Sequence, residues 1–212
     1  MNPAPEPSPA ARRFYLAVMV VTTAAAALGT ALLPMLLVES PATLLASAAD
    51  FRNIALVSTQ LDLHTVLAVG LPRRIVGMFG SYGLGILYGR SLLGFAERRL
   101  PRIGRLAGAL ERLFRRFPRA TLLIWPAYAT SIFAGLTRLP HRSFVPCMLV
   151  GQIGFVIGGY YLGGTLSGPI DAVVDFFKRH LWESTAVFAC VVAVQQLSAY
   201  RRRRRGKTEP AV

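Results

Sequence analysis

The sequence predicts an all-α integral membrane protein, with about four transmembrane helices, two opposed re-entrant hairpins in an inverted repeat, and an amphipathic surface helix. Three observations carry that expectation. The chain has 212 residues, 53% hydrophobic and only 16% charged, and its mean hydropathy of +0.46 is high for a soluble domain. The apolar residues fall in blocks: Phe14–Val38 is a run of 25 residues without a charge, and Leu181–Tyr200 carries only Glu183. About 20 apolar residues span the hydrocarbon core as a helix. The third observation is where the charge lies. The formal net charge of +14 sits between the blocks and in Arg201–Arg205, the pattern of a basic cytoplasmic face.

That placement also argues against nucleic acid as a partner, because topology and anionic lipid already account for the arginines. Cys147 and Cys190 both lie inside apolar blocks. They suit small buried hydrophobes better than a disulfide or a metal pair. With no Cys or His cluster at ligand spacing, no metal or cofactor is expected. No Ser-His-Asp set, phosphate-cradling glycine loop with lysine, or catalytic carboxylate pair stands out, so no enzyme is expected either.

Taken in order, residues 1–13 read as a disordered tail, proline-rich at its start. The first transmembrane helix follows at 14–38. Its length exceeds the 7–15-residue apolar region of a secretory signal, so a retained helix is expected. Residues 39–199 form the main membrane domain, opening on a polar boundary at Glu39, Pro41, Asp50 and Arg52. The block Ile54–Gly70 carries Gln60, Asp62 and His64, which a lipid-facing helix disfavours. Leu71-Pro-Arg-Arg74 interrupts, and the glycine-rich Ile75–Arg90 follows, with Gly85-x-x-x-Gly89 suited to close helix approach.

Residues 97–119 are different. Ile103, Leu106, Leu110, Leu113, Phe114 and Phe117 keep helical spacing, while Arg102, Arg105, Arg112, Arg115 and Arg116 take the other face. A basic amphipathic helix on the cytoplasmic surface fits, held by anionic headgroups. Packing on the protein's own membrane domain is the other reading. Residues 200–212 form a basic cytoplasmic tail that also attracts anionic headgroups.

Arginine positions set the topology. The 97–119 segment holds eight arginines against two glutamates and belongs on the cytoplasmic side. Residues 164–180 balance Asp171 and Asp175 against Lys178 and Arg179, and suit the outside. One helix then runs outward at about 144–163 and another returns at 181–199. Arg119, Arg138 and Arg142 all fall on the cytoplasmic side, so 120–137 must leave and re-enter by the same face. Trp125-Pro126 supplies the break, and Thr130-Ser131 supplies hydroxyls for the freed backbone. The same count in the first half makes one block re-entrant. The polar Gln60-x-Asp62-x-His64 selects Ile54–Gly70, which leaves Arg73-Arg74 nearer the outside. The result is a multi-pass protein of the cytoplasmic (inner) membrane with both termini cytoplasmic. LPRR and LPHR would each end a hairpin and precede a glycine-rich helix, the inverted-repeat plan of secondary transporters.

Three stretches, SPATLLASAADFRNIALV, YGLGILYGRSLLGFAERRLPRIGRLAGALERLFRRFP and AGLTRLPHRSFVPCMLVGQIGFVIGGYYLG, resemble the DedA family, whose membrane region is also called the VTT or SNARE-associated domain. The resemblance covers about residues 40–199. It implies two opposed re-entrant hairpins and the movement of lipid: undecaprenyl phosphate in bacterial members, phospholipid in eukaryotic relatives. Bacterial members usually carry arginines around the proline of the second hairpin. Leu122–Ala134 has none and offers Tyr128, Thr130 and Ser131 instead.

Two sets of candidate site residues follow. Arg73, Arg74, Arg138 and Arg142 would bind lipid phosphate, with Tyr128, Thr130 and Ser131 beside them. Their alternative role is that of boundary arginines reaching headgroups. Asp62 and His64 would carry a proton-coupled step if they lie at membrane depth; otherwise Asp62 caps a helix starting at Leu63. The expected activity is translocation of a phosphate-bearing lipid. A non-transporting membrane scaffold for envelope maintenance is the rival.

Overall fold

The structure is a computed structural model, and it describes residues 8–99, 108, 112–114 and 116–208. All regular structure among them is α-helical: α1 Pro9–Ala31, α2 Leu33–Glu39, α3 Pro41–Ser47, α4 Phe51–Val57, α5 Leu63–Arg99, α6 Pro118–Ile124, α7 Tyr128–Leu136, α8 His141–Thr165, α9 Ser167–Arg179 and α10 Leu181–Thr208. Two of these are long and apolar enough to cross a membrane, α1 and α8, with mean hydropathies of 1.8 and 1.5.

Proline explains the first difference from expectation. The run 14–38 is not one helix, because Pro34 has no N–H to give back to the preceding turn. α1 ends at Ala31 and α2 restarts with Pro34 in its first turn. At the other end the helix reaches back to Pro9, capped by the Ser8 hydroxyl. Most of the basic segment 97–119 lies outside the described residues. Where it is described, Phe114 is fully buried while Leu113 and Phe117 are exposed. The charge-balanced segment 164–180 holds an amphipathic helix, α9, which buries Ile170, Val174 and Phe177.

The first hairpin is misplaced by the sequence reading. Ile54–Gly70 is not a hairpin: α5 runs unbroken from Leu63 to Arg99 with Pro72 inside it. The hairpin is α3 and α4, joined by Ala48, Ala49 and Asp50. The stretch read as a polar boundary is therefore a hairpin tip. Its polar groups are used locally, since buried Asn53 donates its amide to the Ala48 carbonyl at 2.8 Å. The second hairpin falls where expected, as α6 and α7 joined by Trp125, Pro126 and Ala127.

The hairpins enter from opposite ends and meet tip to tip. The α3–α4 tip lies against Gly70 and Arg74 of α5, and α4 then runs back along α8, passing Gly159 and Gly163. The α6–α7 tip lies against Gly77 and Gln152, and α7 runs along α5 the other way, reaching Gly85 and Gly89. Each hairpin's second arm thus packs on the long helix of the other half. At the tightest places no side chain fits: a Cβ on Gly85 would meet the Ile132 carbonyl, and one on Gly163 would meet the Ala55 carbonyl. Where hydrophobic drive between helices is weak, such small-residue contacts let backbones approach.

The repeat has a register that LPRR and LPHR do not reveal. A shift of 77 residues carries Ala48, Ala49 and Asn53 onto Trp125, Pro126 and Thr130 (48 to 125, 49 to 126, 53 to 130). A shift of 78 carries Arg74 and Gly85 onto Gln152 and Gly163 (74 to 152, 85 to 163). Equivalent residues make equivalent bonds. Asn53 donates to the Ala48 carbonyl, and Thr130 donates to the Trp125 carbonyl at 2.9 Å. Each hairpin has its own apolar core, Leu37, Leu44, Leu45, Ile54 and Val57 around the first, Met78, Leu122, Phe133, Phe144 and Met148 around the second.

Candidate functional site

Between the two cores lies a polar layer, and Arg74 is its centre. The guanidinium is buried and donates to three acceptors: the Ala49 carbonyl at 2.8 Å, the Pro126 carbonyl at 3.2 Å, and the Gln152 side-chain oxygen. One side chain therefore holds both hairpin tips. Gln152 closes the arrangement by donating its own amide to the Pro126 carbonyl at 2.9 Å. The guanidinium carbon also sits 3.9 Å from the Phe155 ring centroid and 5.8 Å from that of Tyr128, and such faces stabilise a desolvated cation.

Arg73 points to the other side of the tips. Its Nε donates to the Ser47 carbonyl at 3.1 Å and its Nη2 to the Thr22 carbonyl of α1 at 2.7 Å. The remaining Nη1 is buried without a hydrogen-bond partner among the described residues. Neither arginine lies within 4.0 Å of a carboxylate among them. Two positive charges thus share the tip junction with no carboxylate at ion-pair distance among the described residues, although Asp50 lines the cavities on both flanks. Leaving a buried charge uncompensated is costly, and such a place is receptive to an anion.

Two cavities border the pair. One, of about 260 Å³, lies on the Arg74 side between Phe51, Trp125, Pro126 and Phe155. The other, of about 240 Å³, lies on the Arg73 side between Thr22, Ala48, Gly77 and Ile132. Asp50 and Tyr128 line both, so they form the wall that separates them. The Tyr128 ring rests on Gly77, where a Cβ would come within 2.8 Å of it.

The expected site residues divide accordingly. Arg73, Arg74 and Tyr128 come together at the tips. Thr130 and Ser131 stand behind them, buried and engaged: Thr130 donates to the Trp125 and Ala127 carbonyls, and Ser131 contacts the Met78 sulfur at 3.1 Å. Arg138 and Arg142 lie at the far end of the second hairpin, exposed. Arg138 ends α7 in the left-handed region with φ 53°, and the chain bonds back from Leu139 N–H to the Ala134 carbonyl, a left-handed helix cap. Arg73 and Arg74 are the eleventh and twelfth residues of α5, at the level of both tips.

Asp62 and His64 lie at the start of α5, away from the tips. Asp62 caps the helix, accepting from the Thr65 hydroxyl at 2.7 Å and its N–H at 3.1 Å. The Thr65 hydroxyl, then its N–H, hold this carboxyl below the usual carboxylate range. The His64 side chain is 98% exposed, 3.8 Å from Asp62.

Three residues at the tips were not singled out from sequence: Gln152, Asp50 and Asn53. Gln152 carried a readable signal, an amide in the middle of an apolar helix, which the membrane disfavours unless it is bonded. Asp50 and Asn53 resembled ordinary boundary residues. Among the described residues no group of three His, Cys, Asp or Glu side chains is placed to hold a metal. Comparison with family models, with curated proteins and with solved structures finds no match, so the resemblance to the DedA family rests on the motifs quoted above.

Proposed function

We propose that the chain is a multi-pass protein of the cytoplasmic membrane that moves a phosphate-bearing lipid between leaflets, undecaprenyl phosphate or a phospholipid. The observation that carries this reading is the Arg73–Arg74 pair, placed where two opposed hairpin tips meet with no carboxylate at ion-pair distance among the described residues and a cavity on either flank. On this reading α5 and α10 cross the membrane along with α1 and α8, and the hairpins re-enter from opposite faces. The termini are cytoplasmic. The phosphate enters the cavities beside the arginines while the tail stays in lipid. Interrupted helices are the usual way to bring backbone and charge to membrane depth without exposing either to lipid.

Liposomes carrying labelled undecaprenyl phosphate or phospholipid test it directly. Protein-dependent movement is expected, and Arg73→Gln, which removes the guanidinium without touching the tip clasp, should slow it at least tenfold. No movement of any lipid would sink the reading. Proton coupling is tested in the same assay. Asp62→Asn with an unchanged rate and pH profile confines Asp62 to its helix cap.

A scaffold without transport is favoured by one observation, that the Arg74 guanidinium ties both hairpin tips and α8 together. Its signature is a variant, Arg74→Lys, that lowers stability in an otherwise transport-silent protein.

A further inference from the structure

The second hairpin has a basic cavity at its foot, distinct from the tips. Its volume is about 530 Å³, and it lies where α6 starts and α7 hands over to α8. Arg116 and Arg119 line its rim, both exposed, while Phe117, Pro118, Leu139 and Pro140 make an apolar floor. Arg119 reaches across the mouth to the Ser143 hydroxyl at 3.5 Å. Arg138 and Arg142, both exposed, adjoin its lining residues Leu139 and Ser143 in sequence. Among the described residues no carboxylate lines this cavity.

We infer that the foot cavity binds the headgroup of an anionic phospholipid, with its phosphate between Arg116 and Arg119 and its acyl chains along α6. Two features select a lipid over a free anion. The floor is apolar, so a small hydrated phosphate would leave it wet, whereas a glycerol backbone and acyl chain roots cover it. Beyond the floor, α6 continues as an exposed apolar track: Leu123 is 45% exposed and Ile124 79%, leading to Trp125 at the hairpin tip. A fork of guanidinium donors recognises phosphate oxygens, and the apolar track accepts the chains. Internal comparison adds to the charge argument. In the first half the equivalent position to Pro140 is Asp62 (62 to 140), which places a carboxylate at the start of α5. At the start of α8 no side chain caps the helix, and an external anion complements what the chain leaves neutral there.

This inference rests on the membrane placement proposed above but not on transport, so the lipid-flux assay and the following binding assay fail independently. Full-length protein in a neutral maltoside detergent is titrated with phosphatidylglycerol or phosphatidylcholine and read by native mass spectrometry. Wild type should retain one phosphatidylglycerol under activation that strips phosphatidylcholine. Arg116→Gln with Arg119→Gln should weaken that retention about tenfold, while neutralising Arg201–Arg205 should leave it in place. Ala120→Trp fills the cavity without changing its charge, and should give the same loss if the arginine variant folds poorly. Equal retention of both lipids, or unchanged retention in the Ala120→Trp protein, overturns the site. Displacement of the lipid by millimolar inorganic phosphate overturns the lipid assignment in favour of a free anion.

Discussion

The two hairpin-plus-helix halves place equivalent residues in equivalent contacts, yet they do not carry the same charge. Asn53 and Thr130 close the two tips by the same bond, and Gly85 and Gly163 admit the other half's backbone at the same height. At the position between the tips, however, the first half supplies Arg74 and the second supplies Gln152. The acidic Asp50 of the first tip corresponds to Ala127 of the second (50 to 127). The feet differ as well: Glu39 and Asp62 stand at the first, and Arg116, Arg119, Arg138 and Arg142 at the second. Packing is thus symmetric and electrostatics is not. On the proposed reading, symmetric packing suits a tip-to-tip junction that both faces can reach, while the charge would favour anions at the junction and orient the chain.

The asymmetry is sharpest in its centre, and exchanging side chains there should have the largest effect. Arg74→Met orphans the Ala49 carbonyl and weakens the hold on Pro126, at about 1–3 kcal/mol per unsatisfied acceptor. Gln152→Met removes one acceptor and one donor and should cost clearly less, though it leaves the guanidinium short of a partner. Thermal unfolding in detergent ranks the two, and equal losses would mean that the clasp is as symmetric as the packing. A smaller effect tests the symmetric part. Gly85→Ala and Gly163→Ala should each destabilise by about 1–3 kcal/mol, since both press a methyl onto a carbonyl that cannot yield. Gly154→Ala, where a Cβ meets nothing within 4 Å, should stay within about 0.5 kcal/mol. If Gly85 and Gly163 differ by more than that, the repeat is not mechanically equivalent.

The smallest effect belongs to Asp62. Its carboxyl is held low by Thr65, so its contribution is complete above the unfolded value of about 3.9 and fades as pH falls through the lower folded value. Asp62→Asn should therefore lower stability slightly and evenly at neutral pH and flatten the acid limb, the two proteins converging once Asp62 is protonated. A change centred near pH 7 would show that something other than this cap titrates.

The helical class and the second hairpin were legible because each has a local signal: long uncharged runs for the first, Trp125-Pro126 between arginine-marked ends for the second. The first hairpin was not, because its tip carries Asp50, Arg52 and Asn53, residues that also mark an exposed boundary. Nothing local says that Asn53 turns inward to the Ala48 carbonyl. Pro72 misled in the opposite sense, as LPRR resembles a helix end, yet α5 continues through it. Arg73 and Arg74 were picked out as arginines at a hairpin end, whereas they lie within α5 beside both tips. Their burial depends on acceptors some 25 to 78 residues away in sequence, and no window along the chain contains that information. Gln152 lay within reach, since a lone amide in an apolar helix has to find a partner.

Pro126 gives up its carbonyl to Arg74 and to Gln152, and Ala49 gives up its own to the same guanidinium. A guest that drew that guanidinium away would therefore loosen two hairpins in one step, and a hairpin pulled aside would release the cation to a guest. Occupancy and opening are then reciprocal by linkage, and the two tips work as one latch with a single bolt.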